Sequence, residues 1–202
     1  MSGSLDQVEG CARLMTTARR LDNYTLADWE SLDPQEGHRV ELVDGRFVVN
    51  AAPAWKHQRV ADRLCRLLDD AVFADGMEAA TAVGVRVRDG LGYVPDIVVS
   101  TERVETATVS ADTIALAVEV VSPSTKKTDR LEKPAAYAGA GVPRYWRIEI
   151  NDAHVTVYCY RLDGQTYVED VVLDTGATGT VAVTGTASIT FDPADLNGVR
   201  KR

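Results

Sequence analysis

The segment "AVEVVSPSTKKTDRLEKPAAYAGAGVPRYW", residues 117–146, places a carboxylate inside a strand that the sequence predicts to be buried. This strand begins a few residues earlier, because the run "TIALAVEVVS" is apolar at positions that face both sides of a sheet, as in a central strand. Glu119 lies in the middle of the run. A buried, ionised carboxylate costs several kcal/mol unless it is paired, hydrogen-bonded or bound to a metal. Glu119 therefore requires a partner.

The residues after this strand change to a helical composition from Asp129 to Ala140. Pro134 suits the first turn of that helix, and Gly141 is typical of a helix end. The longer stretch from Lys126 to Arg147 is basic, although the whole chain has a net charge of −8. A local excess of positive charge favours phosphate binding, and the alternative is a solvated loop and helix face. Six basic residues stand against two acids here: Lys126, Lys127, Arg130, Lys133, Arg144 and Arg147 against Asp129 and Glu132.

Strand and helix patterns continue on both sides of this segment. Asp44-Gly45 joins two strand-like runs as a hairpin turn does. The stretch from His57 to Ala74 carries apolar residues at helical spacing, and a short helix is predicted from Leu26 to Leu32. Asp163-Gly164 joins two later strands, and residues 175–189 read as a short edge strand. We therefore predict an α/β fold with a central mixed β-sheet, flanking helices and additional β-hairpins.

Length and composition predict one domain. A chain of 202 residues with 45% hydrophobic and 26% charged residues is ordinary for a soluble globular protein. We predict a flexible N-terminal segment at 1–22, a single domain at 23–192 and a C-terminal tail at 193–202. No apolar run is long enough for a secretion signal or a membrane span. A cytoplasmic protein is expected, since no C-x-x-C spacing links its three cysteines, Cys11, Cys65 and Cys159.

A second carboxylate, Asp96, precedes the apolar strand that begins at Ile97. Neighbouring strands can bring Asp96 and Glu119 to one edge of the sheet, where the two carboxylates would repel each other unless a cation lies between them. Mg²⁺ and Mn²⁺ are the cations that carboxylate oxygens suit, and such an ion activates water for phosphodiester hydrolysis. A lysine would complete the site by stabilising charge. The alternative for each acid is a local hydrogen bond.

The motifs "HRVELVDGRFVV", "PAWKHQRVADRL" and "VPDIVVS" join the opening segment in a resemblance. Together they resemble the restriction-endonuclease-like family named Uma-two, a branch of the PD-(D/E)XK nuclease superfamily. The resemblance implies that Asp96 and Glu119 are the two motif acids that ligate Mg²⁺, with Mn²⁺ as a substitute. The lysine that commonly stands two residues after the second acid is replaced by Val121. Lys133 is expected to act instead, or Lys126 or Lys127 if their loop folds inward.

Three further residues are candidates for the site. The resemblance implies that Glu41 is a third catalytic acid and metal ligand, and its alternative is an exposed strand position. His57 is a candidate for contacts with the metal-binding carboxylates, and the Tyr137 hydroxyl is expected beside the Lys133 ammonium. His57 could instead be a packed or capping residue, and Tyr137, one helical turn after Lys133, could be a core residue. No nucleotide-cofactor motif is present in the sequence.

The resemblance implies a restriction-endonuclease-like fold and a Mg²⁺-dependent endonuclease that cleaves nucleic acid, DNA rather than RNA. It also makes a homodimer an expected assembly, and no membrane partner is expected. The alternative is a catalytically inactive nuclease-like module that binds nucleic acid or a protein. The acidic net charge of the chain and the absent in-line lysine favour this alternative.

Overall fold

The computed structural model describes residues 23–32, 38–51, 53–122 and 126–198. The N-terminal segment predicted to be flexible, Cys11 and the last four residues lie outside this range. Four α-helices are described: α1 (Leu26–Glu30), α2 (Trp55–Val72), α3 (Lys133–Gly139) and α4 (Pro193–Asn197). The described strands are β1 (His38–Val43), β2 (Arg46–Ala51), β3 (Glu78–Thr81), β4 (Gly84–Arg88), β5 (Leu91–Tyr93), β6 (Ile97–Ser100), β7 (Thr108–Ser110), β8 (Ile114–Val120), β9 (Arg144–Asn151), β10 (His154–Asp163), β11 (Thr166–Asp174), β12 (Gly179–Ala182) and β13 (Ser188–Phe191).

The predicted central mixed sheet is confirmed as a six-stranded sheet in the order β11-β10-β9-β8-β6-β3. Strand β8 is buried along its whole length, as its apolar sequence predicts. It pairs antiparallel with β6 on one side and parallel with β9 on the other. This central position takes Glu119 into the interior of the protein.

A second sheet of five strands has the order β2-β1-β5-β4-β7. Its β1-β2 hairpin turns at Asp44 and Gly45, as predicted, with φ angles of 48° and 73°. Both residues thus have the left-handed conformation that a two-residue hairpin turn requires. The short strands β5 and β7, with three residues each, complete this sheet and were not separated by the sequence pattern.

The six-stranded sheet is covered on both faces. Helix α2 packs Val60 and Leu64 against one face, in a core that includes Leu116. On the other face, Ala117 lies in a second core with Tyr137 of α3 and residues of the five-stranded sheet. The α/β layers therefore enclose two hydrophobic cores, one on each face of the six-stranded sheet. The candidate site lies on the side of the second core.

Helix α1 fixes the five-stranded sheet through a single tryptophan. Trp29 Nε1 donates a hydrogen bond to Val40 O at 2.7 Å. Its ring lies so close to Gly92 that a Cβ atom there would be 2.3 Å from the ring. This contact requires glycine at position 92 and holds β1, which carries Glu41.

The C-terminal part of the domain forms more regular structure than the sequence indicates. The predicted edge strand at 175–189 is a two-stranded hairpin of β12 and β13. Within the segment predicted as a tail, Leu196 of α4 is fully buried, and Arg63 Nη1 of α2 donates to Asp195 O at 2.8 Å. Among the described helices, none combines the length and apolar composition needed to cross a bilayer.

Candidate active site

Asp96 and Glu119 lie side by side on neighbouring strands. The N–H of Asp96 donates to Val118 O at 3.1 Å, and Asp96 Oδ2 accepts from the N–H of Val120 at 2.8 Å. The Ile97–Val118 pairing of β6 with β8 extends this register. Both carboxylates are almost completely buried, so the sheet places two acids together away from water.

The ammonium group of Lys133 lies among three carboxylates. Lys133 Nζ is 3.0 Å from Glu41 Oε1, 3.0 Å from Glu119 Oε1 and 3.5 Å from Asp129 Oδ1. All four side chains are buried, and we call them the Lys133 cluster. Burial alone would lower the pKa of Lys133, but the three carboxylates hold it above its usual value. Lys133 is therefore a permanent cation here.

The backbone before α3 helps to form this cluster. Residues Thr128–Glu132 make a π-helical turn, in which the N–H of Lys133 donates to Thr128 O. Such turns occur frequently at functional sites because they redirect side chains. Pro134 then occupies the first turn of α3, as predicted. The turn directs Asp129 and Lys133 towards the same buried carboxylates.

Three carboxylates and one ammonium leave an excess of two negative charges if every acid is ionised. Burial raises the pKa of Glu119 well above its usual value, and Asp129, Asp96 and Glu41 raise it further against the opposing effect of Lys133. Tyr137 donates its hydroxyl hydrogen to Glu119 Oε1 at 3.2 Å. Burial among these acids thus favours the protonated form of Glu119.

Asp96 has the opposite electrostatic character. Burial alone would raise its pKa, but contacts with His57 and Arg39 hold the pKa below its usual value. Arg39 Nη1 is 2.5 Å from Asp96 Oδ1, and His57 Nε2 is 3.2 Å from Asp96 Oδ2. His57 Nε2 is also 2.7 Å from Val120 O, which can only accept a hydrogen bond, so this nitrogen carries the hydrogen. The pKa values of the neighbouring acids Asp96 and Glu119 are therefore shifted in opposite directions.

Glu41 is held by the backbone and by an amide as well as by Lys133. Its Oε1 accepts from the N–H of Val94 at 3.0 Å, and its Oε2 accepts from Asn50 Nδ2 at 3.1 Å. The side chain is buried, so the exposed-strand alternative for Glu41 is wrong. Strand β1 thus delivers a third fixed carboxylate to the cluster.

The structure brings together most of the residues that the sequence predicts for the site. His57 contacts Asp96, and Tyr137 contacts Glu119. The alternative lysines do not approach the cluster, because Lys126 is exposed and Lys127 pairs with Glu132 at 3.1 Å on the surface. The cluster therefore has Lys133 as its cation.

Sequence reasoning missed two residues of the site, Asp129 and Arg39. Asp129 precedes Lys133 by four residues, a spacing that places two side chains on one helix face. Arg39 precedes Glu41 by two residues, so the two share one face of β1. Both signals were available in the sequence. The contact of Arg39 with Asp96 depends on the pairing of distant elements and gave no local signal.

The donor set can be compared with the needs of a divalent cation. Within the described ranges, no three His, Cys, Asp or Glu side chains already form a metal-binding group. The chemistry nevertheless fits, because adjacent carboxylate oxygens and an excess of buried negative charge suit a hard cation. Binding would require an ionised Glu119, and Asp96 would have to release a contact with Arg39 or His57.

Comparison with known proteins identifies a family and a similar fold. The model of the family described as "Uma2: Putative restriction endonuclease" matches residues 25–191. The crystal structure of a "putative nuclease" from Anabaena variabilis is similar, with a TM-score of 0.65 and 18% sequence identity, over 86% of this chain and 97% of that chain. No curated protein matches the sequence. The predicted fold and resemblance are confirmed, and the chain belongs to the Uma2 family.

Proposed function

We propose that the protein is a cytoplasmic, Mg²⁺-dependent endonuclease of the PD-(D/E)XK type that hydrolyses phosphodiester bonds in DNA. The observation that carries this proposal is the buried contact of Lys133 Nζ with Glu119 and Glu41, both at 3.0 Å, next to Asp96. This lysine supplies the cation that Val121 cannot supply at the usual motif position. Membership of the Uma2 family and the nuclease-like fold support the same activity.

The residues take distinct roles in this proposal. Asp96 and Glu119 would hold Mg²⁺ or Mn²⁺, and Glu41 assists as a third acid or by positioning the ammonium that it contacts. When bound, the ion supplies activation of water and neutralisation of charge at phosphorus. Lys133 orients the attacking water and stabilises the negative charge that develops on the phosphate oxygens. His57 and Arg39 favour the ionised form of Asp96 that a metal ion would require.

The proposed assembly is a homodimer, in which two sites would address the two strands of a duplex. Light scattering on the purified protein checks this assembly directly. A dimeric mass is expected, and a monomeric mass at working concentration would contradict it.

One observation favours a second candidate function, a nuclease-like module that binds nucleic acid or a protein without cutting. Both oxygens of Asp96 are already engaged, Oδ1 by Arg39 and Oδ2 by His57 and the N–H of Val120. A carboxylate with this many protein partners binds a metal ion less favourably, because it must give up some of those contacts. Calorimetric titration with Mn²⁺ separates the two candidates, since the inactive module should not bind the ion through Asp96 and Glu119.

The test of the proposed activity compares Glu119→Gln with the parent protein on plasmid and single-stranded DNA in the presence of Mg²⁺ or Mn²⁺. The variant keeps the size of the side chain but removes its charge, and it should cleave at least about a hundredfold more slowly. Glu102→Gln makes the same chemical change at an exposed position and should cleave like the parent. Equal cleavage by Glu119→Gln and the parent would reject the assignment.

A further inference from the structure

A groove of about 320 Å³ lies against another face of the segment that carries Lys133. The helical residues on its wall, among them Arg130, Pro134 and Ala138, follow each other at spacings of four residues. Asp129, Lys133 and Tyr137 occupy the neighbouring buried face. The opposite wall comes from strands β9, β10 and β11. The groove therefore adjoins the candidate active site without sharing its acids or its lysine.

Three tyrosine rings from these adjacent strands line the groove. The ring of Tyr145 lies 6.1 Å from that of Tyr160 and 5.6 Å from that of Tyr167, each at an interplanar angle of 28°. The hydroxyl of Tyr145 donates to Asp129 O at 2.5 Å, and that of Tyr167 donates to Val142 O at 2.7 Å. Tyr160 and Tyr167 remain partly exposed. They offer fixed, flat and accessible rings, which is the surface on which nucleic-acid bases stack.

Two arginines add positive charge to this surface. Arg130 Nη2 is 2.6 Å from Glu149 Oε2, and Arg147 Nε is 3.1 Å from Glu149 Oε1. Two guanidinium groups thus share one carboxylate, so these three side chains together carry one positive charge, and Glu169, paired opposite Tyr160 on β11, is a further acid near that ring. The Arg147 guanidinium also stacks on Tyr158 at 4.3 Å and lies 5.5 Å from the Tyr160 ring. Guanidinium groups in such settings bind phosphate oxygens in a planar, two-pronged manner.

We propose that this tyrosine–arginine groove, formed by Tyr145, Tyr160, Tyr167, Arg130 and Arg147, binds an unpaired nucleotide of a nucleic-acid strand. The base stacks on the exposed tyrosine rings, and the phosphate pairs with Arg130, whose side chain is 36% exposed. The volume is at the lower end of the range for ligand pockets, roughly 300–1,000 Å³, which suits one nucleotide rather than a duplex. A base inside a duplex is already stacked on both sides, so the groove selects single-stranded or locally opened nucleic acid.

The groove and the Lys133 cluster meet at one residue. The carbonyl oxygen of Asp129 accepts the Tyr145 hydroxyl hydrogen, while its carboxylate lies 3.5 Å from Lys133 Nζ. Asp129 thus contacts both the groove wall and the Lys133 cluster. The inference rests on the proposed function only for the claim that the bound strand is the substrate, since binding by stacking and by arginine requires no catalysis.

The test measures binding of a fluorescent single-stranded DNA of about 12 nucleotides to the full-length protein by anisotropy. EDTA is present, so no metal-dependent cleavage can occur. Tyr160→Ala should weaken binding about tenfold or more because it removes a stacking ring, and Tyr160→Leu should do the same while it preserves apolar packing. Tyr160→Phe, which keeps the ring, should bind within about twofold of the parent.

The arginine is tested in the same assay with a matched control. Arg130→Ala should weaken binding. It should also reduce the slope of the logarithm of the binding constant against the logarithm of the salt concentration by about one, the value for one phosphate contact. Arg88→Ala also removes one surface arginine paired with an acid, but it lies in the other sheet and should bind like the parent.

Three results would overturn the inference: no binding of single-stranded DNA by the parent, parent-like binding by both Tyr160→Ala and Tyr160→Leu, or equal losses in Arg130→Ala and Arg88→Ala. Equally tight binding of a blunt duplex would also contradict it. Failure of this inference and failure of the proposed function are distinguishable. Cleavage that depends on Glu119 without any effect of Tyr160 on binding rejects the groove alone, and the reverse pattern rejects the nuclease activity alone.

Discussion

The two sides of residues 128–139 carry uncompensated charges of opposite sign. On the buried side, three carboxylates surround the ammonium of Lys133. On the solvent-facing side, Arg130 and Arg147 share the carboxylate of Glu149. Counted along the sequence, the longer stretch 126–147 is basic, with six basic residues against two acids, yet its interior is acidic. The difference shows that burial decides what a charge is used for: the buried excess suits a metal cation, and the exposed excess suits a phosphate.

The largest expected effect is the difference in stability between a variant on the buried side and one on the solvent-facing side. Lys133→Met should lower the free energy of unfolding by about 3–5 kcal/mol, because it leaves buried carboxylates without their cation. Arg130→Met removes one positive charge three residues earlier, from a surface ion pair, and should cost only about 0–1 kcal/mol. Urea denaturation of both variants measures the difference. Equal losses would show that the two charge imbalances are not distinct.

A divalent metal ion should stabilise the protein by binding to the buried carboxylates alone. At a Mn²⁺ concentration of about 100 times the dissociation constant, binding adds about 2.7 kcal/mol, which raises the melting temperature by roughly 5–10 °C for a chain of this size. Glu119→Gln should abolish the shift, whereas Glu102→Gln, an exposed control, should keep it. Differential scanning fluorimetry with and without Mn²⁺ checks both. A shift that persists in Glu119→Gln would place the ion elsewhere.

The smallest expected effect concerns the pH dependence of stability without metal, and it compares the adjacent acids Glu119 and Asp96. Burial raises the pKa of Glu119, so the folded state binds more protons than the unfolded state above the usual value of 4.5, and stability falls as pH rises through that window. Glu119→Gln should remove this fall. Its free energy of unfolding should therefore rise relative to that of the parent as pH increases, by about 1 kcal/mol per unit of pKa shift.

Asp96→Asn should behave in the opposite way. Despite its burial, His57 and Arg39 lower the pKa of Asp96, so its ionised form contributes stability above its usual pKa of 3.8, and that contribution is lost as pH falls. The free energy of unfolding of Asp96→Asn should therefore lie furthest below that of the parent at neutral pH, and the difference should shrink towards acid pH. Denaturation series between about pH 2 and pH 8 in EDTA compare the variants, because the Asp96 contribution is lost only below its usual pKa. Parallel pH profiles for Glu119→Gln and Asp96→Asn would contradict the opposite shifts.

Much of the fold could be predicted from local patterns. The buried strand around Glu119, the hairpin at Asp44-Gly45 and the amphipathic helix now defined as Trp55–Val72 each carry a strong periodic or turn signal. Strands β5 and β7 have three residues each, too few for a period of two to be read. The assembly of the hairpin strands into a separate five-stranded sheet depends on long-range pairing, which no local window contains.

The site follows the same division. Asp96 and Glu119 could be predicted because an acid within or next to an apolar strand demands a partner. Lys133 could be predicted because the usual lysine is replaced by Val121 and another cation is needed. The structure places its ammonium beside Glu119. The contact of Asp96 with Arg39 was not predicted, because Arg39 is 57 residues away in the sequence. Side chains that meet across sheets remain invisible until the sheets are placed.

The most direct test of the central claim, that Asp96 and Glu119 share a divalent ion, is a crystal structure of the protein soaked in Mn²⁺, read from its anomalous difference map. We predict a peak between the two carboxylates, with Lys133 still next to Glu119. A map without such a peak, in which Asp96 keeps its contacts with Arg39 and His57, would contradict the claim.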